Sequence, residues 1–220
     1  MNSSDNRKIA RQVIAIAASA FLVWLIYFGS YLPWQKSRTF IFTLQAMGQM
    51  RSVEEVKNAF NVAFSIPSPI GQEELVRHFS SVILSTVQGF DAIQASATVE
   101  LVSYVEDRFQ PLIQDQRGMS FNQNLFVLGS LNEVALVQTK NLKYFDAAKN
   151  YFALGHELAP KRPQFLYGLF DLYRLQRNVS GSIEVANQIT TLWPEDERAK
   201  ALLDDFLIKS GVATSTQKNR

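Results

Sequence analysis

Few residues in this chain are placed for chemistry. Its two histidines lie far apart: His78 stands between Arg77 and Phe79, and His156 precedes Glu157 near the end of a helix-forming stretch. Neither has a neighbour at the spacing of a metal-binding or acid–base pair, so both are expected to serve structure. Adjacent carboxylates occur at Glu54-Glu55, Glu73-Glu74 and Asp204-Asp205. Neighbouring residues on a helix point about 100° apart, so such pairs do not converge on one ligand, and the two glutamate pairs suit the first turn of a helix, where the dipole favours negative charge. With 0 cysteines there is no thiol nucleophile, thiolate metal site or disulfide. The sequence holds no glycine-rich phosphate loop, nucleophile elbow or H-E-x-x-H zinc motif. Asn178-Val-Ser180 fits the N-glycosylation triplet, a pattern frequent by chance. These residues imply no catalytic group, no metal and no cofactor.

A binding face is better supported. On the stretch Gln164 to Gln176, Leu166, Leu169, Tyr173 and Phe165 form an apolar stripe, which leaves Tyr167, Asp171 and Arg174 at i, i+4 and i+7 on another face. One helix pair earlier, Asn122, Phe126 and Glu133 fall on the equivalent side. A tyrosine flanked by a carboxylate and a guanidinium suits a peptide or a glycan. The same residues also fit a purely local arrangement, with Asp171 and Arg174 as an intrahelical pair and Tyr167 packed on a neighbouring element.

The elements that would carry this face repeat. Ala148 to Phe152, ending at Leu158-Ala-Pro160, is echoed by Ser182 to Ala186, ending at Leu192-Trp-Pro194, an offset of 34 residues. That period, with a small residue in a helix and a proline closing it, is the pattern of a tetratricopeptide (TPR) helix pair. Leu125-x2-Leu128-Gly129 matches half of the opening signature, with Asn132 where tyrosine is expected. Between Gly129 and Ala148 lie seven residues more than the signature allows, and extending the first helix by one heptad would keep its apolar face in register. The second repeat reads Leu166-x2-Leu169-Phe170-x2-Tyr173. There Phe170 replaces the glycine that permits close packing and Ala186 replaces phenylalanine, so Phe170 is expected to fill the vacated volume. Glu195 to Ile208 makes a final amphipathic helix that caps the array, and residues 209–220 are expected to form a disordered tail.

Upstream, Val13 to Trp34 carries no charge, and its 22 residues as a helix reach about 33 Å, the thickness of a bilayer core. A transmembrane helix is expected over 13–34, with Tyr31 and Trp34 at headgroup level and Pro33 ending it. Ala18-Ser-Ala20 resembles a signal-peptide cleavage site, but the apolar run continues a dozen residues beyond it. Residues 1–12 form a short basic tail with Arg7, Lys8 and Arg11, which places the N-terminus in the cytoplasm and the body outside. Without that tail the body holds 19 basic and 19 acidic residues, no match for nucleic acid. Helices are expected from Thr39 to Met50, from a Ser52 capping box to Phe64, from Gln72 to Gly89, and from Phe90 to Pro111, with a turn at Ile66 to Gly71. They define a membrane-proximal region, 38–113. Polar residues Gln114 to Ser120, with Gly118, separate it from the repeats, 121–208. No segment alternates long enough for a strand. The expected fold is all-α: an N-terminal transmembrane helix followed by an α-solenoid of TPR-like helix pairs.

Glu157 to Tyr167, Leu192 to Asp196, Ser68 to Glu74 and the span ending Tyr31-Leu-Pro-Trp34 together resemble the C-terminal part of bacterial O-antigen-ligase-type membrane proteins. The resemblance runs from about Ile14 to Leu207. Those proteins are polytopic, transfer or polymerise lipid-linked glycans, and some carry a TPR tail after the last membrane helix. Their catalytic residues lie in segments with no counterpart here, so none carries over. The resemblance implies a detached or split tail, or a relative that kept the tail alone. The function expected is a non-catalytic, single-pass scaffold in the bacterial inner membrane, holding a protein partner, such as a polytopic glycosyltransferase, for envelope glycan assembly. Alternatively the chain is a subunit of a split ligase or polymerase, or an anchor for an unrelated envelope complex.

Overall fold

The computed structural model describes residues 3–115 and 120–212, and every regular element among them is helical. The expected boundary at Gly118 and residues 213–220 of the expected tail lie outside the described residues. Two compact units are present, Met1–Val76 and Arg77–Arg220, the division falling within a helix.

In the first unit, α1 (Ser3–Ile26), a π-turn (Tyr27–Tyr31) and α2 (Leu32–Ala46) follow one another without a break. Pro33 was expected to end the membrane helix; it instead sits in the first turn of α2. The π-turn supplies the reason. Leu32 N–H bonds back to the Tyr27 carbonyl, five residues earlier, so the widened turn has already displaced the bond that a proline would break. Thr39 to Met50 is accordingly no separate helix but the far end of the same rod. Arg11–Gln49, 39 residues, is long and apolar enough to cross a membrane, and its most apolar stretch is wholly exposed. At 1.5 Å per residue it reaches about 58 Å, nearly twice a hydrocarbon core of about 30 Å.

A short 3-10 turn (Met47–Gln49) and Met50 to Ser52 reverse the chain into α3 (Val53–Ser65). The Ser52 hydroxyl accepts from Glu55 N–H at 3.1 Å, while the Glu55 carboxylate takes Arg51 N–H at 2.7 Å rather than that of the cap itself. The buried residues of α2 are Leu32, Lys36 and Phe40, one stripe at i, i+4 and i+8. Phe40 packs on Phe60 and Phe64 of α3, with ring centroids 5.6 and 6.3 Å apart. Lys36, only 3% exposed, donates its ammonium to the carbonyl of Ile66, the C-cap of α3, at 2.9 Å. A cation on the last carbonyl of a helix is favourably placed against the dipole.

The second unit takes up the chain within α4 (Gln72–Gln88), which ends before Gly89 as expected. A 3-10 turn (Ala92–Gln94), capped reciprocally by Asp91 and Gln94, leads into α5 (Ala95–Asp115). Pro111 was expected to close α5 but lies inside its last turns, so the helix continues to Asp115. Then come α6 (Phe121–Thr139), α7 (Leu142–Leu158), α8 (Pro163–Leu175), α9 (Val179–Leu192) and α10 (Glu197–Lys209), each packed on the next, with α6 also packed on α8. Asn141, Asn178 and Asp196 cap α7, α9 and α10 through their side chains, and Pro163 opens α8.

At 19 residues α6 outruns the 13-residue α8, as the heptad insertion requires. The added turns have a use: Gln138 donates to the carbonyls of Val87 and Phe90, closing the end of α4. Asn132, in place of the signature tyrosine, is 1% exposed and donates to Glu106 of α5 at 2.7 Å. The close-packing glycine of α8 is Gly168, two residues before the expected position. Gly129 of α6 and Gly168 both face the ring of Phe152, which lies between the two helices. Phe170 and Ala186 do share one core cluster, with Leu166, Val185, Ile189 and Ala199. The stripe expected on α8 is also redrawn: Phe165, Leu166, Phe170 and Leu172 are buried, whereas Leu169 and Tyr173 are only partly so. With α6, α7 and α9 all packed on it, α8 has more than one inward face.

Candidate functional site

One face of the second unit is concave. Phe126, Ser130 and Glu133 of α6 face Gln164, Tyr167 and Asp171 of α8 across a groove of about 590 Å³, and Asp196 and Arg198 close one end from the start of α10. Helical spacing sets each row, and the buried Phe152 ring, packed against Gly129 and Gly168, lies beneath as the floor. The Phe126 ring is held by Phe152 and Phe165, with centroids 5.9 and 6.1 Å away.

Tyr167 donates its hydroxyl to Asp196 Oδ2 at 2.6 Å, and the other oxygen of Asp196 caps α10 by accepting from Arg198 N–H at 3.1 Å. The Arg198 guanidinium lies 5.0 Å over the Tyr167 ring. Burial, then the hydrogen bond and charge of Asp196, push the Tyr167 hydroxyl up to about 12, against the opposing pull of Arg198. Arg174 Nη1 meets Asp171 Oδ1 at 3.0 Å and its guanidinium lies over Phe170. Burial raises the Asp171 carboxyl above its ordinary value, with Arg174 and Arg198 pulling it down. Glu133 is pushed up to about 7, by burial first and then by the charge of Asp171, which Arg174 partly offsets. Glu133 also lines two adjoining hollows, of about 280 and 320 Å³, and so stands at the junction of the concave surface.

Four of the six residues expected at a groove, Phe126, Glu133, Tyr167 and Asp171, therefore line one. Arg174 lines the adjoining hollow with Glu133 and Asp171. Asn122 lines none of the three; its side-chain oxygen is buried without a hydrogen-bond partner, one turn before Phe126. The local alternative is also present in the geometry, since Asp171 and Arg174 pair within the helix and Tyr167 packs on α10. Asp196 and Arg198 were not anticipated: they follow the Pro194 turn, and their only signal was the capping position of Asp196. No family model, no curated protein and no solved structure matches the chain.

Outside the groove, His156 faces a shallow hollow with Glu184, Asn187 and Gln188 between α7 and α9, and His78 is exposed on α4. Among the described residues no three His, Asp or Glu side chains converge as a metal site. Glu54 pairs with Lys57 at 3.2 Å, and Asp205 with Lys209 at 2.8 Å, as solvated helix faces do. Asn178 of the glycosylation triplet is occupied as the α9 cap. The groove and its adjoining hollow thus present two aromatic rings, the Asp171–Arg174 pair, and one carboxylate, Glu133, raised to about 7.

Proposed function

We propose that the chain is a single-pass membrane scaffold whose TPR-like helix pairs, α6–α7 and α8–α9 with α10 as cap, hold a protein partner in the groove between α6 and α8. The observation that carries this reading is the convergence of Phe126, Glu133, Tyr167 and Asp171, drawn from helices one repeat apart, on a single groove. First helices packed on one another, with a concavity between them, are how helical arrays present a binding surface. The 34-residue echo of Pro160 in Pro194 supports the TPR relation, and Gly129 and Gly168 play the close-approach role that such pairs need.

The scaffold is placed in a bacterial inner membrane with its body outside, on the strength of the basic N-terminal tail, and in envelope glycan assembly on the strength of the resemblance to O-antigen-ligase tails. It acts without catalysis of its own. The second reading, a subunit that completes a split ligase or polymerase, rests on the same resemblance; the groove's aromatic and carboxylate groups suit a glycan as well as a peptide. A photoreactive residue in place of Tyr167, activated in cells, tests both. Capture of a polytopic glycosyltransferase is the expected result. Capture of unrelated proteins leaves an adaptor or structural anchor outside glycan assembly, and absence of any cross-linked partner removes the groove as a binding site.

A further inference from the structure

We propose that the turn Ile66 to Gly71 is a second membrane contact, seated in the headgroup region of the bilayer beside the transmembrane helix. The inference rests on the membrane-anchor reading but not on the groove. It begins with direction. The chain leaves the span along α2, reverses at Met50 to Ser52, and returns along α3, whose Phe60 and Phe64 pack on Phe40 of α2. The bond from Lys36 to the Ile66 carbonyl then fixes how far α3 returns. Lys36 lies two residues, about 3 Å along the axis, from Trp34. The turn after α3 therefore starts near the level of Trp34, an exposed aromatic ring of the kind that settles at headgroup depth.

The composition of the turn fits that depth. Ile-Pro-Ser-Pro-Ile-Gly carries no charge, whereas surface turns are ordinarily polar. Pro67, Pro69 and Ile70 are exposed, Ile70 by 61%. The two prolines also remove two backbone N–H donors that would otherwise need water. The one polar side chain is satisfied within the turn, because the Ser68 hydroxyl donates to the Ile70 carbonyl at 2.7 Å and accepts from Ile70 N–H at 3.4 Å. With two donors removed and its one polar side chain bonded internally, the turn has fewer polar groups to keep hydrated while the side chains it exposes are apolar, a combination suited to the headgroup region. Gly71, at φ +90, then redirects the chain, and charge resumes at Glu73 and Glu74 in the first turn of α4. Arg38, stacked over the exposed rings of Trp34 and Phe42, offers a cation at the same boundary, where lipid phosphates lie.

The absence of cysteine from the chain makes the test direct. Single variants Leu22→Cys, Pro69→Cys, Ile70→Cys and Glu54→Cys, the last at the opposite end of α3, are labelled with an environment-sensitive fluorophore. Each full chain is reconstituted in phosphatidylcholine liposomes without nitroxide, with lipids carrying a nitroxide near the headgroup, or with lipids carrying one deep in the acyl chain. Positions 69 and 70 are read against the headgroup nitroxide and position 22, about 18 Å along the helix from Trp34, against the deep one, and helical content is checked by circular dichroism. The expected result is blue-shifted emission and loss of most of the fluorescence to the nitroxide at positions 69 and 70, with neither at 54. Quenching at 22 but not at 69 or 70 overturns the second contact while leaving the anchor intact. A blue shift at 70 without quenching means that protein covers the turn, and also overturns it. Absence of lipid quenching at 22 removes the anchor reading and this one with it.

Discussion

Glu133 carries the most instructive charge in the protein. Its ordinary carboxyl value of 4.5 is raised to about 7 by burial and by Asp171. The folded state thus favours the neutral acid, and the sign follows: as pH climbs from about 4.5 to about 7 the unfolded chain ionises first and folding stability falls. At one pKa unit per 1.4 kcal/mol the loss is at most about 3 kcal/mol, and partial exposure brings it to roughly 1–3 kcal/mol. Glu133→Gln should remove this slope, leaving stability unchanged at pH 4 and higher than wild type at pH 8. Urea denaturation of the full chain in detergent at the two pH values checks it; an equal shift at both would assign the effect to packing. Glu133, Tyr167 and Asp171 were legible as one face because helical spacing alone relates them within each helix. Asp196 and Arg198 were not, since the Pro194 turn hides where α10 begins in space, and Tyr167's partner depends on that path. Asn122 kept the spacing of Phe126 but lies a turn short of the groove's mouth.

At the scale of elements, the approach of α6 and α8 depends on what is missing from them. A Cβ added at Gly168 would lie 2.7 Å from the Phe152 ring, whereas one at Gly29, in the π-turn, would meet nothing within 4 Å. Gly168→Ala should therefore cost about 1–3 kcal/mol through overpacking. Gly29→Ala should be neutral or slightly stabilising, since it removes only backbone freedom. Thermal melting of both variants in one detergent compares them, and equal melting temperatures would show that Phe152 moves aside. Helix identities and most starts were readable from caps such as Ser52 and from breakers such as Pro67 and Pro69. The errors came from prolines read as stops. Pro33 is absorbed because a neighbouring π-turn has already shifted the hydrogen-bond ladder, and Pro111 lies in helical turns that extend to Asp115. Neither circumstance is visible in a one-dimensional pattern. The glycine at the close approach was displaced by two residues for a similar reason: which face of α8 meets Phe152 is set by three neighbours at once.

For the molecule as a whole, the proposed arrangement has a directional consequence. With Arg7, Lys8 and Arg11 retained in the cytoplasm, protease added to right-side-out cells should remove everything beyond the membrane helix and leave a short protected N-terminal fragment. Protection of the body instead would invert the topology and rule out an extracytoplasmic partner. The apolar stretch that suggests a span was plain in the sequence, but its continuation through Ala46 was not, and that continuation changes the mechanics. No flexible joint separates the lipid-sized part of the rod from Phe40 and Lys36, the residues that hold α3. Lateral pressure or thickness changes in the bilayer would act on a lever whose outer arm, from Trp34 to Gln49, is about 22 Å long. With the rod seated as proposed, tilting the span by about 20° would sweep the head of that arm through roughly 8 Å, and bilayer thickness would then set where α3 is carried.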